Sequence, residues 1–313
     1  MRILVVDVMH ESLAPLLVEL GFDVDIFSEL DYQGASAIIG NYEGLIIRSK
    51  FFVDETFLNN ATKLQFIGRA GAGLDLIDLE ACERRKIAVF AANEGNKFAV
   101  AEHLLGMVLS LLNRIVTANA EVKNNIWLRE ENRGEELAGK TVGIIGFGHN
   151  GSESAKRFAA FGCRVLAYDK YKVGFGEDWV EECSLDKIFD QADIVSLHIP
   201  LTKESRGLAN ADFFSRFSKD IYFCNVARGE IMIQSDLIQA LVNGKVKGAC
   251  LDVLENEKLK TLNEKQQVEF DFLKKHPRVL ITPHVGGWTF ESYEKINLVL
   301  RDRIKSFLNS PKR

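Results

Sequence analysis

Nowhere in its 313 residues does the chain carry an uninterrupted run approaching the ~20 apolar residues of a membrane span. No membrane partner is therefore expected. Basic charge is equally short: 39 Lys and Arg against 44 Asp and Glu leave a formal charge of −5. No basic stripe recommends nucleic acid as a partner. Cysteine is sparse and unpaired in pattern. Cys82, Cys163, Cys183, Cys224 and Cys250 are odd in number, widely spaced and mostly set in apolar surroundings, with no CxxC pair among them. They read as reduced core thiols, so neither a disulfide framework nor a metal site is expected. The opening MRILVVD is already strand-like and has none of the layout of a signal peptide, which makes the cytoplasm the expected compartment. Short repeats, low-complexity tracts and flexible Gly/Ser linkers are absent as well.

What the chain does have is strand-helix alternation from end to end. ILVVD, FDVDIF, GLIIRS, LQFIGRAG and IAVFAA are short apolar runs separated by amphipathic segments such as ESLAPLLVEL. A helical pattern over residues 96 to about 124 then breaks the rhythm, with Ala99, Leu104, Met107, Val108, Leu111, Leu112 and Ile115 on one apolar face. Alternation restarts at Thr141, runs through VLITP, and is followed by a last helix over residues 290 to about 308. Helical stretches between strands imply right-handed crossovers and mainly parallel sheets. The expected fold class is α/β, with two doubly wound parallel-sheet domains. Periodicity alone leaves open which of them the last helix joins.

The stretch 141–170, TVGIIGFGHNGSESAKRFAAFGCRVLAYDK, is the sharpest single signal. A buried-looking strand runs into Gly146, Gly148 and Gly151, spaced G-x-G-x-x-G, and a helix is expected over 152–161. In that setting Gly146 permits the tight turn, Gly148 lets a pyrophosphate approach the backbone, and Gly151 lets the helix pack against the sheet. The next strand, RVLAYD, ends at Asp169, where a carboxylate can accept from ribose hydroxyls and would repel a 2′-phosphate. NAD, not NADP, is the expected cofactor. Hydride transfer to a carbonyl then needs a cation, a proton donor and a carboxylate to tune the donor. Polar residues follow three later strands: Arg228 in CNVARGE, Asp252 and Glu257 after GACLDV, and His284 in VLITPHVGG.

Several motifs in order then carry a family resemblance over nearly the whole chain. They are GRAGAGLDLIDLEACERR at 68–85, GNKFAVAEHLLGMVL at 95–109, GKTVGIIGFGHNG at 139–151, LHIPLTKESRGL at 197–208, NVARGEI at 225–231, LDVLENE at 251–257 and PHVGGWT at 283–289. The chain resembles the D-isomer-specific 2-hydroxyacid dehydrogenases, and most of all those members that act on 3-phosphoglycerate. The resemblance implies a catalytic trio. Arg228 would bind the substrate carboxylate and carbonyl, His284 would be the acid/base, and Glu257 would hydrogen-bond the histidine and favour its protonated form. It also implies NAD contacts at His149, Asn150, His198, Ile199, Pro200, Val226, Ala227, Arg228, Asp252, His284, Gly286 and Gly287. Substrate contacts would come from Arg228, His284, Arg48 and the backbone amides of Ala70, Gly71, Ala72 and Gly73. Lys50, two residues from Arg48 in an extended segment, would share its face. His103 reads as a packing or capping histidine, and Trp127 and Trp288 as packing residues.

For architecture, the resemblance implies a flavodoxin-like substrate domain, 1–95 plus 288–313, and a Rossmann NAD-binding domain, 96–287, with the active-site cleft between them. The partners implied are a small 2-hydroxy acid and a second copy of the chain. Pairing would run through the long helix and the loop after it, bringing Arg129 to the neighbour's site. The expected reaction is oxidation of 3-phosphoglycerate to 3-phosphohydroxypyruvate for serine synthesis. The alternatives are a hydroxypyruvate or glyoxylate reductase of the same family, or a non-enzymatic NAD(H)-sensing protein of the corepressor type. Two features depart from the family pattern. Lys258 stands where proline usually follows the glutamate, and the stretch from Glu257 to His284 is longer than is common. The chain stops at Arg313, so a C-terminal regulatory domain with serine feedback is not expected.

Overall fold

Short runs of Val, Ile and Leu that are buried on both faces belong in parallel sheets covered by helices on each side, and two such sheets form here. The computed structural model describes residues 1–309. It divides into one unit made of Met1–Lys97 with the segment that begins at Trp288, and a second made of Phe98–Gly287. Residues 310–313, the end of the segment assigned above to the substrate domain, lie outside the described residues.

In the first unit the order is β1 (Arg2–Val5), α1 (Leu13–Val18), β2 (Asp23–Ile26), α2 (Tyr32–Ile38), β3 (Gly44–Ile47), α3 (Glu55–Asn60), β4 (Phe66–Arg69), α4 (Leu79–Arg84) and β5 (Ala88–Ala91). The strands pair in parallel in the order β2-β1-β3-β4-β5, the flavodoxin-like winding. Alternate residues face opposite cores. Leu4, Leu45 and Ile67 pack on one side with Phe57 and Ala81, while Ile3, Val5 and Phe66 pack on the other. Asp54 and Asp78 cap α3 and α4 by accepting the amides of Phe57 and Ala81 at 2.8 and 2.9 Å.

The second unit contains α5 (Lys97–Leu112), α6 (Ile115–Lys123), β6 (Thr141–Ile145), α7 (His149–Ala160), β7 (Arg164–Tyr168), β8 (Glu181–Glu182), α8 (Leu185–Gln191), β9 (Ile194–Leu197), α9 (Ala211–Ser215), β10 (Ile221–Asn225), α10 (Gln234–Val242), β11 (Val246–Leu251), α11 (Glu264–Lys275) and β12 (Val279–Ile281). Its parallel sheet runs β12-β11-β10-β9-β6-β7-β8, so the winding reverses between β6 and β9. That reversal opens a crevice beyond the carboxyl ends of the strands, where ligands bind in open α/β sheets. The final helix, α12 (Phe290–Asn309), places Ile296, Leu300 and Ile304 in the core of the first unit beside Ile3, Val5 and Phe66. A Cβ on Gly95 would lie 2.8 Å from the Ile296 backbone, which shows how closely the chain passes there.

Two boundaries differ from the sequence pattern. The single helix expected over 96–124 is two helices bent by 62°. Arg114 takes a left-handed backbone, φ 54, and its amide turns to Leu111 instead of continuing the ladder. Ala99, Leu104, Met107, Val108, Leu111 and Leu112 are buried as their spacing implies, but Ile115 beyond the bend is half exposed. Among the described residues no single helix is long and apolar enough to cross a membrane. The helix after the glycines begins at His149, because the Ser152 amide already bonds the Gly148 carbonyl at 3.0 Å. The extra length between Glu257 and His284 becomes α11, started by a capping box between Asn263 and Gln266.

The loop from α6 back to β6 is tied down by Glu135. Its carboxylate accepts from the Tyr222 hydroxyl, from Arg278 Nη2 at 3.2 Å and from Lys140 Nζ at 3.0 Å. Burial pushes this carboxyl up, but the Tyr222 and Lys140 hydrogen bonds and the charges of Lys247 and Lys140 outweigh it and hold it at about 2. A carboxyl depressed on folding contributes stability above its unfolded pKa and loses it as pH falls toward the folded one. Glu135→Gln should therefore lower Tm at pH 7. The gap to the parent should close as pH drops from about 4.5, an ordinary glutamate value, toward about 2. Thermal melts across that range check this, and a gap that ignores pH would show that the charge of Glu135 is not its source.

Candidate active site

The glycine loop between β6 and α7 is built by three different constraints. Gly146 has φ +99, and a Cβ there would sit 2.7 Å from the His198 carbonyl oxygen. Gly151 lies in the first turn of α7, where a Cβ would be 1.9 Å from the Gly146 oxygen. Gly148 faces open space, with nothing within 4 Å of a Cβ. A helix N-terminus whose leading glycine is open on the outside offers backbone amides and a positive dipole end to an anion. The buried Asn150 Oδ1 in the same turn has no hydrogen-bond partner. Asp169, at the end of β7, accepts the Phe147 amide at 2.7 Å through Oδ2 and the amides of Tyr171 and Lys172 at 2.9 and 3.0 Å through Oδ1. It thus joins the glycine loop to the next strand and leaves Oδ2 room for a further donor. His198 bonds Ser196 at 3.0 Å, and burial pushes its imidazole down to about 4, so the ring is neutral near pH 7. Ile199 and Pro200 follow it at the same end of β9.

Beyond β10, Asn225 is fully buried and clasps the turn carrying Arg228. Its Oδ1 accepts the Ala227 amide at 3.1 Å and its Nδ2 donates to the Arg228 carbonyl at 2.9 Å. Val226 is buried, Ala227 and Arg228 only partly so. A Cβ on Gly229 would be 1.8 Å from the Leu254 carbonyl oxygen, so this turn lies directly on the loop leading to Glu257. Beyond β12, His284 holds a left-handed backbone, φ 55, and its Nδ1 is 3.0 Å from Glu257 Oε2. Both side chains are partly open to solvent, at 42% and 44%. Lys258 in place of proline does not prevent this pairing.

Asp252 anchors the histidine turn. It is 2% exposed; Oδ1 accepts from Thr282 Oγ1 at 2.6 Å and the Val285 amide at 2.9 Å, and Oδ2 accepts the Gly286 amide at 2.8 Å. Burial pushes its carboxyl up, but hydrogen bonds from His103, Thr282 and the Gly286 and Val285 amides prevail and hold it below the usual carboxylate range. Oδ2 keeps room for one further donor.

The first unit carries the remaining residues. Arg48 lies just past β3, its amide donating to Asp7 Oδ2 at 2.6 Å, and its guanidinium lies 3.6 Å from the centre of the Trp288 ring. The Tyr293 ring packs on Trp288 at 4.7 Å and its hydroxyl donates to the Val8 carbonyl at 2.7 Å. Burial pushes the Arg48 guanidinium down, and the nearby Tyr293 hydroxyl and Asp7 carboxylate only partly offset it. Lys50 does not accompany it. The strand ends at Ile47, the period of two lapses, and Lys50 Nζ donates to the carbonyls of Val6, at 2.8 Å, and Ser28. The amide cradle at 70–73 is also narrower than expected. Ala70 donates to Ile47 at 2.8 Å and Gly71 to Arg69 at 2.9 Å, leaving the amides of Ala72 and Gly73 without an acceptor among the described residues. Gly287 follows Gly286 directly, and Arg129 lies exposed after α6.

Residues 105–286, more than half of the chain, match the family model described as "D-isomer specific 2-hydroxyacid dehydrogenase, NAD binding domain". The chain belongs to this family. It is 35% identical over 313 residues to a D-3-phosphoglycerate dehydrogenase of Bacillus subtilis (strain 168), covering 98% of this chain and 57% of that one. It is 32% identical over 312 residues to a D-3-phosphoglycerate dehydrogenase of Methanocaldococcus jannaschii, again covering 98% and 57%. The chain thus spans little more than half the length of the curated relatives it matches. Among solved structures it is similar to a D-lactate dehydrogenase from Aquifex aeolicus complexed with NAD and lactic acid, at TM-score 0.82, 27% identity, and coverage of 98% and 95%.

The matched stretch of this D-2-hydroxyacid dehydrogenase family member falls within the second unit. The residues present fit the cofactor: Gly148 is open where a pyrophosphate would approach, and Asp169 Oδ2 retains an acceptor position. Four supporting residues were given no part in the site by the sequence reading. Asn225 and Gly229 lie in NVARGEI, His103 in GNKFAVAEHLLGMVL and Thr282 just before PHVGGWT, but only their contacts give them a part in the site. His103 Nε2 lies 2.9 Å from Thr282 Oγ1 and 3.4 Å from Asp252 Oδ1.

Proposed function

We propose that this chain is an NAD-dependent D-2-hydroxyacid dehydrogenase acting on 3-phosphoglycerate and 3-phosphohydroxypyruvate, at the entry to serine synthesis. The observation that carries the reading is the 3.0 Å contact between His284 Nδ1 and Glu257 Oε2. It fits an imidazole held by a carboxylate with its other nitrogen turned outward, as an acid/base requires. NAD(H), when bound, supplies or accepts the hydride. Gly146, Gly148, Asn150, Gly151 and Asp169 would hold its pyrophosphate and adenosine ribose, with His149, His198, Ile199, Pro200, Val226, Ala227, Gly286 and Gly287 lining the remainder. The open position on Asp252 Oδ2 suits a carboxamide N–H. In the reducing direction His284 would give its Nε2 proton to the substrate carbonyl oxygen, and in the oxidising direction it would take the hydroxyl proton back. Arg228, a planar and permanently charged fork, would hold the substrate carboxylate and polarise the carbonyl. The amides of Ala72 and Gly73 would add to that grip.

Arg48 bears on substrate choice. A half-buried guanidinium stacked on an aromatic ring suits a second anionic group. A spectrophotometric NADH assay over 2-oxo acids should rank 3-phosphohydroxypyruvate above glyoxylate and hydroxypyruvate. Arg48→Ala should lower kcat/KM for the phosphorylated acid by about tenfold to a hundredfold, the worth of a charge-assisted hydrogen bond, and change glyoxylate little. Equal losses on both would assign Arg48 to the shared carboxylate or to the fold. No turnover on any 2-oxo acid would overturn the dehydrogenase reading itself.

The same reading makes the protein cytoplasmic, with no nucleic-acid, membrane or metal partner, and a homodimer. Ile115, Val116, Val122, Ile126, Trp127 and Leu128 form an exposed apolar arm on and after α6 that suits pairing with a second copy. Arg129 would then reach the partner's site.

A further inference from the structure

The backbone donors of the turn 284–286 converge on one residue. The His284 amide is shared between the carbonyls of Asp252, at 2.8 Å, and Thr282, at 3.0 Å, and the Val285 and Gly286 amides reach the two carboxylate oxygens of Asp252 at 2.9 and 2.8 Å. The direction of the bonds behind Asp252 follows from counting protons. Thr282 Oγ1 lies 2.6 Å from Asp252 Oδ1 and 2.9 Å from His103 Nε2. A hydroxyl has a single proton and a carboxylate can only accept, so Thr282 donates to Asp252. It must then accept from His103, whose Nε2 therefore carries a hydrogen. The donations run one way, from His103 on α5 to Thr282 beyond β12 and from Thr282 to Asp252 beyond β11, with His103 Nε2 also 3.4 Å from Asp252 Oδ1.

We propose that Thr282 and His103 are positioning residues for His284: they hold the Asp252 carboxylate in the orientation that clamps the turn carrying the acid/base. This deepens the dehydrogenase reading and rests on it. A side-chain-bearing residue keeps a left-handed backbone only where its surroundings over-determine it, and His284, at φ 55, depends on Asp252 for that. If the carboxylate rotates, two amides lose their acceptor and the ring loses its alignment with Glu257. The packing leaves little room for a substitute arrangement. A Cβ on Gly286 would already be 2.8 Å from Asp252 Oδ2 and 3.3 Å from His103 Cδ2.

The test compares Thr282→Val, which keeps the shape and removes the hydroxyl, with Thr282→Ser, which keeps the hydroxyl. His103→Leu and the double variant His103→Leu/Thr282→Val complete the set. With NADH and 3-phosphohydroxypyruvate, Thr282→Val should lose about tenfold to a hundredfold in kcat, as for a lost hydrogen bond to a charged group. Its NADH dissociation constant should rise by a smaller factor than kcat falls, because the glycine loop and Asp169 still hold the cofactor. Thr282→Ser should retain kcat to within about threefold, a change below ~1 kcal/mol. His103→Leu should lose about threefold to tenfold, and the double variant should lose less than the product of the two single losses, because both residues act on one carboxylate. Hydrogen exchange of the Val285 and Gly286 amides should accelerate in Thr282→Val and not in Thr282→Ser. Parental kcat in Thr282→Val, a serine variant as impaired as the valine, or losses that multiply in the double variant would each overturn the proposal. If the parent turns over no 2-oxo acid, the dehydrogenase reading fails separately. Unchanged exchange in Thr282→Val would then overturn the clamp on its own evidence.

Discussion

His284→Ala should lower kcat by a factor of about 10² to 10⁴, the usual worth of a positioned acid/base, while NADH still binds. The expectation rests on where the ring sits. Its Nδ1 is occupied by Glu257 at 3.0 Å, so Nε2 is the nitrogen left to exchange a proton with substrate. Alanine removes the proton carrier but keeps every backbone bond of the turn, because the contacts of residues 284–286 with Asp252 are made by amides. The loss should therefore fall on kcat and leave the NADH dissociation constant within about threefold, a change below ~1 kcal/mol. Steady-state kinetics with a fluorescence titration of NADH separates the two. A His284→Ala enzyme within about fivefold of parental kcat, well short of the acid/base range, would remove His284 from the proton-transfer role.

Gly229→Ala should cost as much through geometry alone. Its Cβ would be 1.8 Å from the Leu254 carbonyl oxygen, 2.0 Å from the carbonyl carbon and 2.7 Å from the Glu255 amide nitrogen. These are backbone atoms, so no rotamer change relieves the clash, and one of the two loops must move. One loop carries Arg228, held at both ends of its turn by Asn225; the other leads through Glu255 to Glu257. Displacing either by an ångström misaligns a group proposed to act on substrate, and such misplacement costs on the order of 10² in rate. Overpacking of this kind also destabilises by about 1–3 kcal/mol. A variant that melts a few degrees lower yet loses at least about a hundredfold in kcat/KM would match this account. A folded Gly229→Ala enzyme with parental kcat/KM would show that the two loops are not coupled.

Local pattern was enough for most of the frame. Period-two and period-3.6 hydrophobicity placed the strands and helices, because side chains alternate across a strand and recur along a helix face whatever the tertiary context. The glycine spacing with Asp169 pointed to a dinucleotide because tight turn, close approach and close packing each demand the absence of a Cβ. Gly146, Gly148 and Gly151 now have three distinct surroundings. Arg228, Glu257 and His284 became legible through family motifs and not through chemistry visible in their neighbours.

What the sequence by itself determined was thus the alternation, the turn chemistry and the residue types available at the strand ends. Tertiary structure decided which of those residues meet. The 62° bend at Arg114 leaves Ile115 outside the core although its spacing places it inside, because one left-handed residue redirects everything after it. Lys50 turns away from Arg48 because the strand stops at Ile47, and the rule of two applies only while a strand lasts. Two of the four amides at 70–73 are committed to Ile47 and Arg69, partners visible only once the chain has folded back on itself. His103 and Thr282 lie 179 residues apart, and Asp252 stands between them in the sequence; no local pattern marks a hydrogen-bonded chain that spans three elements. Parallel sheets make this the rule, since each strand end meets its neighbour only after a long crossover, and a site assembled from strand ends is non-local by construction.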